Sequence, residues 1–169
     1  MSTLQTTTVS TDQVCTWGHG TERQLAFQFT APVSGTIGSA QVYAGTKVGS
    51  PTGNTRVSIF SNSSGVPGSV IGSWSAGVAT PAHQQYTFTI SPATTIVNST
   101  LYWFVLDIDN GVYDSANFYE GSGDNTSAHG YQVYSFHNGT TWQVDYPTTS
   151  INTILTITAT SGGDFLVFM

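Results

Sequence analysis

The chain has 169 residues, only 7% of them charged, and its formal net charge at pH 7 is −6. This length fits one domain of ordinary size, and the charged fraction is far below the roughly 25% of an average soluble protein. Arg23, Lys47 and Arg56 are its only lysines and arginines. Because nucleic acids and anionic membranes are bound through clustered basic side chains, we expect neither as a partner.

Residues 1–24 are polar and show no regular alternation of apolar residues, which predicts an N-terminal arm before a single domain over residues 25–169. These first residues also lack the basic and apolar regions of a secretory signal, so we expect a protein that is made in a cytoplasm and not exported. The one cysteine, Cys15, cannot form a disulfide within the chain. Stability must therefore come from packing and association.

Short strands follow, each indicated by apolar residues that alternate along the chain. In LAFQF (25–29) the three large apolar residues share one face, and the chain then turns and continues in an extended form. Residues 45–55 predict a loop, and Gly65, Pro67 and Gly68 predict a compact turn. The further strands predicted in this half are RVSIF (56–60), SVIGSW (69–74) and QQYTFTI (84–90).

The stretch LYWFVLDI (101–108) is apolar almost throughout, which suits a central strand covered on both faces, because it is short, aromatic and β-branched. The strands predicted after it are ANFYE (116–120), YQVYSF (131–136), TWQVDY (141–146) and INTILTITAT (151–160). Asn138 and Gly139 favour a tight hairpin between the second and third of these. Roughly ten short strands predict an all-β fold: a two-sheet antiparallel β-sandwich, jelly-roll-like, with an N-terminal arm and an apolar C-terminal strand.

Three stretches carry a family pattern: FQFTAPVSGTIGSAQVYA, RVSIFSNSSGVPGSVIGSW and QYTFTISPATTIVNSTLYWFVLDI. Over about residues 25–108 their order resembles the choice-of-anchor β-sandwich modules, R type, of bacterial and phage surface proteins. In that family a VSIY-like strand precedes a G-x-P-G turn and an L-x-x-N-T-x-Y-W-x-V-L core strand. Residues 57–60, 65–68 and 96–106 occupy these places here. The resemblance implies the fold and carries over no catalytic residue.

Acidic residues gather where the predicted core strand ends. Asp107 and Asp109 project from one face of that end, and Asp114 and Asp124 follow in the next loops. With Asn110 they could form an oxygen cage for calcium. Their spacing is not that of a calcium-loop motif, and Asp-Asn-Gly is also an ordinary turn. Calcium is therefore a candidate cofactor, and solvated turn acids are the alternative.

Aromatic rings form a second candidate site, because sugar-binding sandwiches stack flat rings on sugar faces. The predicted glycan-binding rings, in or beside loops of the second half, are Tyr113, Tyr119, Tyr134, Trp142 and Tyr146. The alternative for each ring is a place in the core, since aromatic side chains dominate sandwich interiors. Trp103 lies inside the apolar stretch and is expected to be structural.

Sequence signals of catalysis are missing. Nucleophile elbows, phosphate-binding loops and dinucleotide fingerprints do not occur, and the four histidines lack the spacing of a zinc site. Asp107 and Asp109 are the one carboxylate pair considered for glycoside hydrolysis, and nothing else supports that reaction. We predict that the protein is not an enzyme.

After TSGGD comes an apolar segment, FLVFM, over residues 165–169. In water each of its large side chains would cost about 1.5–3 kcal/mol, so we expect the segment to be buried. The predicted assembly contacts are Phe165, Leu166, Val167, Phe168 and Met169. Gly162 and Gly163 give the chain freedom to reach another subunit, and a final strand of its own domain is the alternative.

These features together predict a non-enzymatic virion structural protein of a phage, which decorates or cements the capsid, or belongs to the tail, as a homo-oligomer. Its expected partners are a major capsid or tail protein, and its expected location is the virion surface. The alternative is a carbohydrate-binding module or tail adhesin that recognises host-surface glycans, at an extracellular or cell-surface location.

Overall fold

The computed structural model describes residues 2–5, 13–17, 24–75, 84–109, 114, 116–124, 133–137, 141–144, 150–151 and 153–160. Regular structure in these ranges consists of strands that form two antiparallel sheets, which confirms the predicted all-β, two-sheet sandwich. The strands are β1 (Ser2–Gln5), β2 (Gln13–Trp17), β3 (Gln24–Thr30), β4 (Gly35–Val48), β5 (Asn54–Ser63), β6 (Val66–Ser75), β7 (Gln84–Ile96), β8 (Leu101–Asp109), β9 (Phe118–Asp124), β10 (Val133–His137), β11 (Thr141–Val144), β12 (Ser150–Ile151) and β13 (Thr153–Ala159). A search of the same ranges for a helix long and apolar enough to cross a membrane found none.

One sheet has seven strands, in the order β1-β13-β4-β9-β12, with β2 paired to β9 and β7 paired to β4. Its longest member, β4, pairs with β13 and β7 over its first part and with β9 near its end. The loop predicted over 45–55 is therefore shorter than expected, because Lys47 and Val48 still pair with β9.

The N-terminal arm predicted over residues 1–24 contains two described strands, although its sequence lacks regular alternation. The strand β1 pairs with β13, and β2 pairs with β9. Strand pairing uses backbone groups that polar residues also possess, so a segment without hydrophobic alternation can still add to a sheet.

The other sheet has six strands in the order β11-β10-β3-β8-β5-β6. Its inner strand β8 is buried on both faces. Tyr102, Phe104 and Leu106 point into the main core, and Trp103 and Val105 point to the opposite face, where both are buried as well. The doubly covered strand predicted from its apolar sequence is confirmed.

The main core lies between the two sheets. Leu25, Phe27 and Phe29 of β3, which were predicted to share a face, all belong to it, and Ile37 of β4 and Leu155 of β13 meet them from the other sheet. A smaller cluster lies on the outer face of the six-stranded sheet, where Ala26, Trp103 and Val105 are packed against Phe60 and Trp142. The domain therefore buries side chains on both sides of this sheet.

The strands β5 and β6 form a hairpin with Ser63 paired to Val66. The two residues between them, Ser64 and Gly65, both have positive φ, 53° and 88°. Positive φ at both central positions defines the turn type whose twist matches that of paired strands. The predicted turn is thus correct at Gly65, whereas Pro67 and Gly68 lie in β6.

Candidate functional site

Three polar side chains form a row on the outer face of the six-stranded sheet. Nε of Arg56 on β5 donates to Oδ1 of Asp107 at 2.8 Å, and its Nη2 donates to Oδ2. Nε2 of Gln24 on β3 donates to the same Oδ2 at 2.7 Å. Asp107 is 5% exposed, and both of its oxygens are engaged by protein donors.

The register of the sheet produces this row. Arg56 and Asp107 are directly paired residues of adjacent strands, and Gln24 precedes the pair of Leu25 with Leu106 on the other side of β8. Residues opposite one another across antiparallel strands lie on the same face. Arg56 therefore neutralises the buried Asp107 carboxylate, and Gln24 adds a hydrogen bond from the next strand. These contacts link β3, β8 and β5 in register.

The predicted calcium cage and carboxylate pair need a correction at Asp107. Its carboxylate accepts from Arg56 and Gln24 and is therefore not available to a metal ion or to a substrate. In Asp114, Oδ1 accepts from the backbone N of Ala116 at 2.7 Å and from Nδ2 of Asn117 at 2.9 Å, which is the bonding of a turn acid.

The side chains of the remaining members of the predicted calcium cage are not described. Asp109 and Asp124 end β8 and β9, where only their backbones are described, and Asn110 lies outside the described residues. Among the residues that the structure describes, no group of three or more His, Cys, Asp or Glu could hold a metal ion.

Tyr119 is the clearest correction among the predicted glycan-binding rings. It is 1% exposed and belongs to the main core, so its ring is closed to a sugar. Its hydroxyl donates to the carbonyl of Gly53 at 3.4 Å, and Nζ of Lys47 lies 5.9 Å from the ring centroid. Burial raises the pKa of the Tyr119 phenol above its ordinary value of 10.0, because desolvation disfavours the phenolate.

Among the described residues, the other predicted rings do not form a shared exposed surface on which a sugar could stack. Trp142 is half-buried and meets the ring of Phe60 edge to face, with centroids 6.2 Å apart. The backbone of Tyr134 lies in β10 opposite Ala26. Tyr113 and Tyr146 lie outside the described residues, so glycan binding remains a prediction.

An open cleft of about 350 Å³ separates the edges of the two sheets. The lining residues are Ile71, Gly72 and Ser73 of β6 and Pro92, Ala93, Thr94 and Thr95 of β7. None of these lining residues carries a charged side chain, and Ser73, Thr94 and Thr95 contribute hydroxyl groups.

Among the strands that the structure describes, β6 pairs only with β5 and so forms an edge of the six-stranded sheet on one wall of this cleft. Ile59 pairs with Gly72 and Phe60 with Val70, which leaves Ile71 as the extra residue of a β-bulge. Val70 and Ile71 are 53% and 42% exposed. Together with Val97, they are the large apolar side chains that stand in solvent in the described part of the chain.

Sequence reasoning identified β6 as a strand but not as the exposed edge of a sheet. The available signal was its composition, because VPGSVIGSWS contains no charged residue in ten positions. Edge strands usually carry charged residues that discourage pairing with another chain. The predicted assembly segment, residues 165–169, lies outside the described residues.

Comparisons of the chain with protein-family models, with curated protein sequences and with solved structures found no match. The resemblance to choice-of-anchor modules accordingly stays a prediction.

Proposed function

We propose that this chain is a non-enzymatic structural protein of a phage virion, which assembles with copies of itself and with other virion proteins through the edge strand β6. The observation that carries the proposal is the pair Val70 and Ile71, exposed side by side on an uncharged edge. An edge of this kind presents backbone donors and acceptors together with apolar surface, which are the two components of strand-to-strand association.

The described polar groups support a structural role over catalysis. The buried carboxylate of Asp107 is neutralised within the sheet by Arg56 and Gln24. The cleft beside β6 has no titratable side chain in its lining. General acid–base and nucleophilic catalysis need such groups in a cleft.

The assignment to a virion is supported by composition. A chain with only three lysines and arginines and abundant serine, threonine and glycine suits a rigid, inert exterior. A sandwich with an open apolar edge completes its burial against neighbouring subunits, and a particle surface supplies such neighbours in fixed positions.

The assembly test compares two lysine variants of the full chain by size-exclusion chromatography with light scattering. Ile71→Lys places a charge on the open edge and is expected to reduce the oligomer to the mass of one chain. Thr158→Lys is the matched control, because Thr158 is exposed on β13, a strand paired on both sides. A wild-type chain that is monomeric at all concentrations would overturn the proposal.

The virion assignment has its own test. Particles purified by density gradient from a culture that produces this chain naturally are analysed by mass spectrometry. The chain is expected in the particle fraction in stoichiometric amount. Its recovery only with the cell envelope or the medium would contradict the assignment and leave the assembly result standing.

A further inference from the structure

We infer that the cleft between β6 and β7 binds a single neutral sugar residue, with the hydroxyl of Thr94 as its buried anchor. The inference goes beyond the proposed function, because it assigns a small ligand to the cleft. It also assigns sugar binding to residues other than the predicted aromatic rings. Two observations carry it: a buried hydroxyl that no described residue satisfies, and a bulge in each wall of the cleft.

Thr94 is a buried polar residue on the β7 wall, only 6% exposed. It pairs with Ile37, a residue of the main core, so its side chain points into the space between the two sheets. Within the described part of the chain, the Thr94 hydroxyl has no hydrogen-bond partner, whereas the other buried polar side chains interact with partners. These are Thr55, Ser58 and Asp107.

A buried hydroxyl without a partner lowers stability, and such groups in folded proteins are almost always bonded to protein, water or ligand. The size of the cleft favours a ligand. Its volume of about 350 Å³ equals roughly a dozen waters at about 30 Å³ each, far more than one hydroxyl can bind. The same volume lies within the range of about 300–1,000 Å³ that is typical of small-molecule sites.

A bulge lies in each wall of the cleft. Where β4 has the single residue Gly38, the paired strand β7 has four, residues 90–93. Pro92 and Ala93 of this bulge line the cleft, and on the other wall so does Ile71, the extra residue of the β6 bulge. Bulges are frequent beside functional sites, because they re-aim side chains that a regular ladder would hold in place. The walls therefore have the construction of a binding site.

Gly72 leaves space on the β6 wall. It pairs with Ile59, a residue of the main core, so its position faces the space between the sheets. A larger residue at this position would place its side chain in that space. The glycine therefore helps to keep the cleft open.

The lining selects a neutral ligand that carries hydroxyl groups on an apolar frame. None of the lining residues is charged, so nothing there offsets the lost hydration of a charged ligand. Thr94 and Thr95 supply hydroxyls, and Ile71, Pro92 and Ala93 supply apolar surface. A sugar ring matches both, because its hydroxyls project from the rim and its C–H groups lie on the faces.

Saturation-transfer NMR of the full chain tests the site, with the methyl α-glycosides of glucose, galactose and mannose as probes. At least one is expected to bind with a Kd of about 1–10 mM, because few hydrogen bonds hold a small ligand in an open cleft. The methyl glycoside of glucuronic acid, which adds a carboxylate to the glucose ring, is expected to bind at least about tenfold more weakly.

Two variants locate the binding. Thr94→Val keeps the shape of the side chain and removes its hydroxyl, and is expected to weaken binding at least about tenfold. Gly72→Val places a side chain in the cleft and is expected to abolish binding. Thr89→Val, at an exposed threonine of β7 outside the lining, is the matched control and should bind like the wild type.

Stability without a sugar separates an anchor from a structural threonine. Since the Thr94 hydroxyl has no partner among the described residues, Thr94→Val is expected to melt at or above the wild-type temperature. A lower melting temperature would show that the hydroxyl is bonded within the protein, which overturns its role as the anchor.

The remaining outcomes also decide. If no neutral probe gives a saturable signal well above the expected Kd, the cleft holds water only and the inference is overturned. Binding that survives both Thr94→Val and Gly72→Val places the sugar elsewhere and overturns the site. Neither result affects the proposed assembly, which Ile71→Lys tests on the β6 edge, and the oligomer mass of Thr94→Val is expected to equal that of the wild type.

Discussion

The rings of Phe60 and Trp142 meet edge to face at 6.2 Å, although their strands, β5 and β11, are four places apart in the sheet order. In a flat sheet four spacings amount to about 19 Å. The six-stranded sheet must therefore curl so that β11 approaches the outer face of β5. This curl encloses Ala26, Trp103 and Val105 in the second cluster.

Trp142 is expected to contribute to stability through this contact. Trp142→Ala should lower the free energy of unfolding by about 1–2 kcal/mol, less than for a fully buried tryptophan, because its side chain is only half-buried. Urea unfolding followed by circular dichroism measures the change. Gln143→Ala, at an exposed neighbour on β11, is the control and should stay within about 0.5 kcal/mol of the wild type. Equal effects of the two variants would contradict the role of the Phe60 contact.

Arg56 and Asp107 should show unequal effects when either is removed. Arg56→Leu leaves a carboxylate that is 5% exposed with only Gln24 as a donor, and should cost about 3 kcal/mol. Asp107→Leu should cost less, because the Arg56 side chain is 33% exposed and its charge can reach water. The double variant should cost less than the sum by at least about 1 kcal/mol, measured as a double-mutant cycle in urea. Additive effects would show that the ion pair does not couple the strands.

We predict that the buried Tyr119 makes the folded protein lose stability at alkaline pH. Because burial raises its pKa in the folded state, the folded chain keeps the phenolic proton at a pH where the unfolded chain has released it. Stability from this group is therefore complete below about pH 10 and falls as pH rises above it. Melting temperatures measured from pH 8 to pH 11 should fall less steeply for Tyr119→Phe than for the wild type. If the melting temperatures of the two proteins fell equally with pH, the loss could not be assigned to Tyr119.

We predict a stabilising substitution in the β5–β6 hairpin. Ser64 adopts a φ of 53°, a conformation that glycine reaches without steric cost. Ser64→Gly should raise the free energy of unfolding by about 0.5–1 kcal/mol, and Gly65→Ala should lower it by about 1 kcal/mol. Ser63→Gly is the control, since its φ is not positive, and it should destabilise slightly. A gain from Ser63→Gly equal to that from Ser64→Gly would rule out the conformational explanation.

Much of the secondary structure could be predicted from the pattern of residues close in the sequence. The alternation in β3, the unbroken apolar stretch of β8 and the glycine of the β5–β6 hairpin each specify a conformation through residues close in sequence. The surroundings of the candidate site residues could not be predicted from local sequence. Tyr119 was predicted as a glycan-binding ring because it lies in or beside the loops of the second half, and only the pairing of β9 with β4 and β2 places it in the core.

By itself the sequence determined the fold class, most of the strands and the faces that enter the core, because side-chain alternation along a strand is a local property. Only the tertiary structure decided which strands became edges, that Asp107 meets Arg56 across 51 positions, and that β6 and β7 face one another over a cleft. The physical reason is that strand pairing joins distant segments through backbone groups common to all residues, so the choice of partner depends on how the whole chain closes its core.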